Sequence, residues 1–130
     1  MRLLKELEKL NLPKDKFAIF GSGPLAVRNL REANDLDLIV KDDLWEDLIK
    51  IYSTTEKGSV KIGEIEIFKD WLPWIENKDE LIDSADIINE FKYVKLEYVI
   101  KWKGALNREK DKKDIELIRK WLNFEVEYIN

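Results

Sequence analysis

The chain has 130 residues, 45% hydrophobic and 38% charged, with 5 Gly and 3 Pro, which excludes a disordered, collagenous or low-complexity chain and suits one compact domain over residues 1–130. It contains no Cys and no His, so disulfide scaffolds, zinc fingers, thiol nucleophiles, Ser-His-Asp triads and histidine bases are excluded, and any catalysis must rest on carboxylates, cations and bound metal. A net charge of −4 argues against a globally electrostatic grip on nucleic acid and leaves room only for a local basic patch.

Leu3, Leu4, Leu7 and Leu10 recur at helical spacing before Asn11 and Pro13 and predict an amphipathic opening helix. Phe17-Ala18-Ile19-Phe20 is a short apolar run stopped by Gly21-Ser22-Gly23, the composition of a buried strand ending in a tight turn. Pro24 suits the first position of a helix continuing from Leu25 to Ala33. Asp35 to Val40 reads as a second strand, and Asp42-Asp43 as the N-cap and first-turn acids of a helix reaching about Tyr52. After a polar loop from Ser53 to Gly58, Val60 to Phe68 alternates as a third strand, with Gly63 as either a hairpin turn or a bulge. Trp71-Leu72-Pro73-Trp74 is an apolar loop, Asp79 to Asp83 a helical turn, and Ala85 to Val94 one or two short strands. Leu96 to Leu106 and Glu109 to Leu122 read as two helices around a turn near Gly104 to Arg108, with Ile115, Ile118, Trp121 and Leu122 at core spacing. The order predicts an α/β (α+β) fold, a small mixed sheet covered by helices, with no linker, repeat or second domain.

No apolar run approaches the roughly 20 residues that cross a bilayer, and the charged N-terminus is unlike a signal peptide, so a cytoplasmic protein away from membranes is expected. High Lys, Glu and Ile with no Gln points to a thermophile.

Alternation along a strand puts Asp35 and Asp37 on one face, where two carboxylates repel unless a cation lies between them; hard oxygen ligands suit Mg²⁺ or Mn²⁺. Glu64 and Glu66 also share a face of the third strand, and either can come within ligand range; Glu66 is preferred because it lies deeper in the run Glu64-Ile65-Glu66-Ile67-Phe68. Gly21-Ser22-Gly23, between a strand and a helix, offers backbone N–H groups and a hydroxyl to phosphate oxygens, or simply a structural turn in which Ser22 caps the helix. Arg28 and Arg31 are open between a solvated helix face and phosphate contact. Trp45, Trp71, Trp74, Trp102 and Trp121 are read as core or rim packing, with a base-stacking platform as the alternative.

The segment Phe20 to Val40, with Gly21-Ser22 ending a strand and Asp35-Leu36-Asp37 on the next, followed by the acid Glu66, resembles the nucleotidyltransferase superfamily of the DNA polymerase β type, particularly its minimal single-domain members. Lys103, Arg108, Lys110-Asp111 and Asp114-Ile115 are similar to a Lys-x4-Arg-x-Lys-Asp-x2-Asp-Ile pattern near the end of several such proteins. The resemblance implies a nucleotidyltransferase-like fold and transfer of a nucleoside monophosphate from a nucleoside triphosphate, ATP being the one expected, to an acceptor hydroxyl. It implies Asp35, Asp37 and Glu66 as metal ligands, Gly21, Ser22 and Arg31 near the phosphates, and Lys103, Arg108 or Lys110 neutralising the triphosphate or the leaving pyrophosphate, with ordinary surface charge as the alternative for those three. Two departures stand out: the third acid is Glu rather than the more frequent Asp, and no acceptor-binding domain follows. The acceptor is accordingly expected to be a protein or RNA partner. The alternative function is a non-catalytic nucleotide- or protein-binding module, such as the antidote or regulatory half of a toxin–antitoxin pair.

Overall fold

The computed structural model describes residues 2–71 and 74–129, with side chains described as far as Asn123. Along the described residues the elements are α1 (Arg2–Lys9), β1 (Phe17–Phe20), α2 (Gly23–Ala26), β2 (Leu36–Val40), α3 (Asp42–Ile49), β3 (Val60–Ile62), β4 (Ile65–Phe68), α4 (Lys78–Asp83), β5 (Asp86–Ile88), β6 (Phe91–Tyr93), α5 (Leu96–Leu106) and α6 (Glu109–Ile129). The strands form one 6-stranded sheet in the order β3-β4-β2-β1-β6-β5. It is mixed: β1 is antiparallel to β2 and parallel to β6, while β2 is parallel to β4. The expected mixed sheet covered by helices is the observed architecture.

Strand alternation sorts the apolar side chains into two layers. Phe17, Ile19, Leu36, Leu38, Ile65 and Ile67 pack on the face covered by Leu3 and Leu7 of α1 and by Leu44, Trp45 and Leu48 of α3. Ala18, Phe20 and Ile39 pack on the opposite face beneath Leu25 of α2, Leu81 of α4, Val99 and Trp102 of α5 and Ile118 of α6. Burial on both faces gives β1 the continuous apolar run visible in the sequence and leaves Asp37 as the one polar residue of β2, and it fixes their register, because a one-residue slip would invert every side chain.

Several boundaries differ from expectation. The helix expected over 24–33 stops at Ala26. Asn29 takes a left-handed conformation at φ +59. The amide of Leu30 reaches back to Leu25 O at 3.0 Å and that of Asn29 to Ala26 O at 3.0 Å, a closure that halts the helix and brings Leu30 onto the core around Leu25. Strand β2 begins at Leu36 rather than Asp35. Lys41, not Asp42, is the N-cap of α3, which ends at Ile49; Asp42 and Asp43 keep their place in its first turn. Gly63, at φ +59, makes the β3–β4 connection a hairpin turn rather than a bulge. Ala85 to Val94 contains a second hairpin whose turn, Asn89-Glu90, has positive φ at both residues. Helix α6 runs on to Ile129. Leu72 and Pro73 of the expected apolar loop lie outside the described residues.

Candidate active site

The site is built where β1, β2 and β4 lie side by side. Phe20 pairs with Asp37 across β1–β2, and Asp37 pairs with Glu66 across β2–β4, so their side chains share the face that α5 and α6 cover. Asp35 immediately precedes β2 and still faces the same cleft. After Phe20 the chain turns through Gly21 at φ +69, and a Cβ built there would stand 2.8 Å from Asp37 Oδ2. Glycine is therefore needed twice, for the backbone conformation and for the close approach of a carboxylate.

The cleft encloses about 460 Å³. Its lining brings together every residue expected there from the sequence: Asp35, Asp37 and Glu66; Gly21, Ser22 and Arg31; and Lys103, Arg108 and Lys110. Glu64 is not among them; its carboxylate accepts from Arg2 at 2.6 Å. Arg28 also points elsewhere, donating to Pro24 O at 2.7 Å and to Asp86 at 3.2 Å. Ser22 occupies the N-cap position of α2 but makes no side-chain cap hydrogen bond; its Oγ accepts from Arg31 Nη2 at 2.5 Å. The aromatic wall of Phe20, Phe68, Trp71 and Trp102 is knitted edge to face, with Phe20–Trp71 centroids 5.0 Å apart and Phe20–Trp102 centroids 6.1 Å apart, the geometry of mutual packing. Trp45 is buried in the other layer, and Trp74 and Trp121 pack half-buried against the core.

The three acids load one another electrostatically. Burial, then the charges of Asp35 and Glu66, push the Asp37 carboxyl up to about 6, while Lys57 and Lys103 pull it back. Glu66 is oriented by Ser59 Oγ, which donates to it at 2.6 Å; Ser59 is itself buried and bonded to Thr55 Oγ1 at 2.7 Å. These carboxylates are hard oxygen donors, and their mutual repulsion is what a divalent cation relieves, so the donor chemistry fits Mg²⁺ or Mn²⁺. As they stand, the described residues contain no group of three or more acids close enough to hold a metal ion.

The cationic wall is organised by two aspartates of α6. Asp114, 3% exposed, accepts from Arg31 Nε at 2.7 Å and Nη2 at 2.9 Å, and lies 2.9 Å from Lys103 Nζ. Asp111, 0% exposed, accepts from Arg108 Nε at 2.6 Å and Nη2 at 3.1 Å. Burial alone would raise both carboxyls, but the hydrogen bonds from Arg108 to Asp111 and from Arg31 and Lys103 to Asp114 hold them below the ordinary range. The sequence pattern contains both aspartates but by itself assigns them no role. The signal was present: Asp111, Asp114 and Ile118 follow one another at helical spacing, so both acids lie on the stripe that faces the core. Lys57, which also lines the cleft, carried no such signal, because a loop residue acquires its position only when the loop folds back.

The chain matches no family model, no curated protein and no solved structure. Among the described residues no helix is long and apolar enough to cross a membrane.

Proposed function

We propose that this chain is a metal-dependent nucleotidyltransferase that moves a nucleoside monophosphate from a nucleoside triphosphate, ATP in the first instance, to a hydroxyl of a protein or RNA partner. The observation that carries this reading is the convergence in one cleft of a glycine-serine turn, three acids and a cationic wall drawn from distant parts of the chain. Asp35, Asp37 and Glu66 are the residues that would hold Mg²⁺ or Mn²⁺. A divalent ion there supplies positive charge to the phosphates and lowers the pKa of an acceptor hydroxyl.

The protein's own groups divide the remaining work. Ser22, fixed by Arg31, retains its hydroxyl proton as a donor to a phosphate oxygen, and the Gly21 turn brings backbone close to the same atoms. Arg31, Lys103, Arg108 and Lys110 offset charge on the outer phosphates. The acceptor oxygen forms a bond to the α-phosphorus as the α–β bridging bond breaks. Pyrophosphate departs toward the cations and the hydroxyl proton passes to water.

A second reading, a non-catalytic nucleotide- or protein-binding module such as the antidote half of a toxin–antitoxin pair, is supported by the pairing of Arg31, Lys103 and Arg108 with buried aspartates, which also serves to rigidify a docking face. Incubation with α-labelled ATP, Mg²⁺ and cell extract separates the two. Transfer of label to an acceptor, lost in Asp35→Asn/Asp37→Asn, supports the enzyme. Tight partner binding that survives the same substitutions, with no labelled product, replaces it with the binding module.

A further inference from the structure

The cations near the acids differ in their partners. Arg31, Lys103 and Arg108 are each paired with a buried aspartate of α6. Lys110 has no hydrogen-bond or ion-pair partner among the described residues, but it stands on α6 with the aspartates of the paired cations. Lys57 and Lys61, on the far side of the acids, likewise have no hydrogen-bond or ion-pair partner among the described residues. Their placement follows from the sheet. In the order β3-β4-β2-β1, Lys61 of β3 pairs directly with Glu66 of β4, Glu66 with Asp37 of β2, and Asp37 with Phe20 of β1, one residue before the Gly21-Ser22 turn. A single row therefore runs from lysine through the acids to the glycine-serine turn.

Lys57 is aimed into the cleft by a turn with its own hydrogen bonds. Thr55 N donates to Ser59 O at 2.7 Å, Gly58 N donates to Thr55 O at 2.9 Å, and Gly58 adopts φ +82. Ser59 then ties this turn to Glu66. Lys57 lines the cleft beside the acids, and Asp37 responds to its charge.

In-line displacement places the attacking oxygen and the departing pyrophosphate on opposite sides of the phosphorus. With the outer phosphates at Ser22 and Arg31, the acceptor must approach from the β3–β4 side. We propose that Lys57 and Lys61 form the acceptor-side subsite and bind a phosphate carried by the acceptor near its hydroxyl. This rests on the nucleotidyltransferase reading. Both side chains end in ammonium groups without an ion-pair partner among the described residues, and a lysine ammonium binds phosphate oxygens as a point charge, which suits an acceptor that carries phosphate beside its hydroxyl.

The test uses the whole chain saturated with Mg²⁺ and a non-hydrolysable ATP analogue, and three probes: a fluorescein-labelled oligoribonucleotide with a free 3′ hydroxyl, glycerol 3-phosphate as its competitor, and a fluorescein-labelled Glu-rich serine peptide. Lys57→Gln/Lys61→Gln is expected to weaken the oligoribonucleotide at least tenfold and to lower its salt slope by roughly 1 to 2. The same change should leave the ATP-induced melting shift intact, and the surface variant Lys120→Gln should alter neither. Competition by glycerol 3-phosphate assigns the subsite to a small phosphate ester, and its failure to compete assigns it to a polynucleotide end; both agree with the proposal. Preference for the peptide, absence of binding to any probe, equal loss in Lys120→Gln, or loss of ATP affinity in the double variant would overturn it. An absent ATP shift in the wild type defeats the nucleotidyltransferase reading, whereas a normal ATP shift with lysine-independent probe binding defeats only the acceptor subsite.

Discussion

Asp114 grips Arg31 with two hydrogen bonds, of 2.7 and 2.9 Å, and thereby ties helix α6 to the connection between α2 and β2. The same carboxylate holds Lys103 at 2.9 Å. One buried side chain thus sets the position of two cations of the cleft.

Replacing Asp114 by Asn leaves Lys103 and Arg31 without their closest counter-charge, and loss of one partner from a buried pair costs about 3 kcal/mol. For a chain of this size that is roughly a 10 °C fall in melting temperature, measurable by calorimetry. Because the Asp111 and Asp114 carboxyls are held below the unfolded value, their contribution is present above about pH 4 and is lost as pH falls through the folded values. Acid unfolding of the wild type should therefore be steeper than that of Asp114→Asn; parallel acid curves would remove these pairs from the stability argument.

Asp37 has the opposite sign. Its folded carboxyl lies at about 6 against an ordinary 3.8, so the fold disfavours the charged form and stability declines as pH rises between those values. A shift of this size corresponds to about 3 kcal/mol. Asp37→Asn should flatten that decline and raise the melting temperature at pH 8, and Mg²⁺ should stabilise the wild type more at pH 8 than at pH 5. A magnesium effect independent of pH would argue against ion binding at this carboxylate.

How much of this was legible beforehand depends on whether local chemistry or tertiary contact fixes each residue. Phe17 to Phe20 was readable as a strand because burial on both faces leaves an unbroken apolar run, and Leu36 to Val40 because its apolar residues are interrupted only by Asp37, which alternates with Asp35 onto one face. The over-long second helix was not avoidable from propensity: Leu25 to Ala33 contains good helix formers, and only the left-handed Asn29 and the closure of Leu30 onto Leu25 end it. The β5–β6 hairpin was blurred because its turn uses Asn89-Glu90 in place of a glycine. The acids and the Gly-Ser turn could be found from strand alternation, whereas Lys57 and the pairing of Asp114 with Arg31 arise from contacts between segments far apart in the chain.

Gly21→Ala should be costly twice over. The left-handed backbone is worth about 1 to 2 kcal/mol against a residue with Cβ. The new methyl must also displace the Asp37 carboxylate, now 2.8 Å from its position. The expected result is a lowered melting temperature together with a smaller stabilisation by Mg·ATP. Gly63→Ala is the matched control, since that residue has φ +59 but nothing within 4 Å of an added Cβ. A nucleotide response unchanged in Gly21→Ala would show that the contact with Asp37 is unimportant.

Glu66 and Glu64 can be separated by isosteric change. Glu66→Gln is expected to abolish nucleotidyl transfer while largely retaining nucleotide binding. Glu64→Gln should cost less than about 1 kcal/mol, because its Arg2 partner is exposed. Ser59→Ala should impair transfer without abolishing it, since it removes the 2.6 Å hydrogen bond that orients Glu66. Activity of these three variants against labelled ATP decides the order, and damage greatest in Glu64→Gln would transfer the role to that residue.

The pairing of Lys61 with Glu66 and of Glu66 with Asp37 restricts where this chain can change its length. Deleting one residue inside β2 or β4 would bring Ile65 or Ile67 opposite Asp37 and force a carboxylate into the layer beneath α1 and α3. The alignment of the acids and the packing of the core would fail together. Insertions and deletions among relatives of this protein should accordingly collect at surface turns such as Gly63-Glu64 and Asn89-Glu90, while the two-residue interval between Asp35 and Asp37 and the intervals within the paired strands stay constant in length even where side chains diverge.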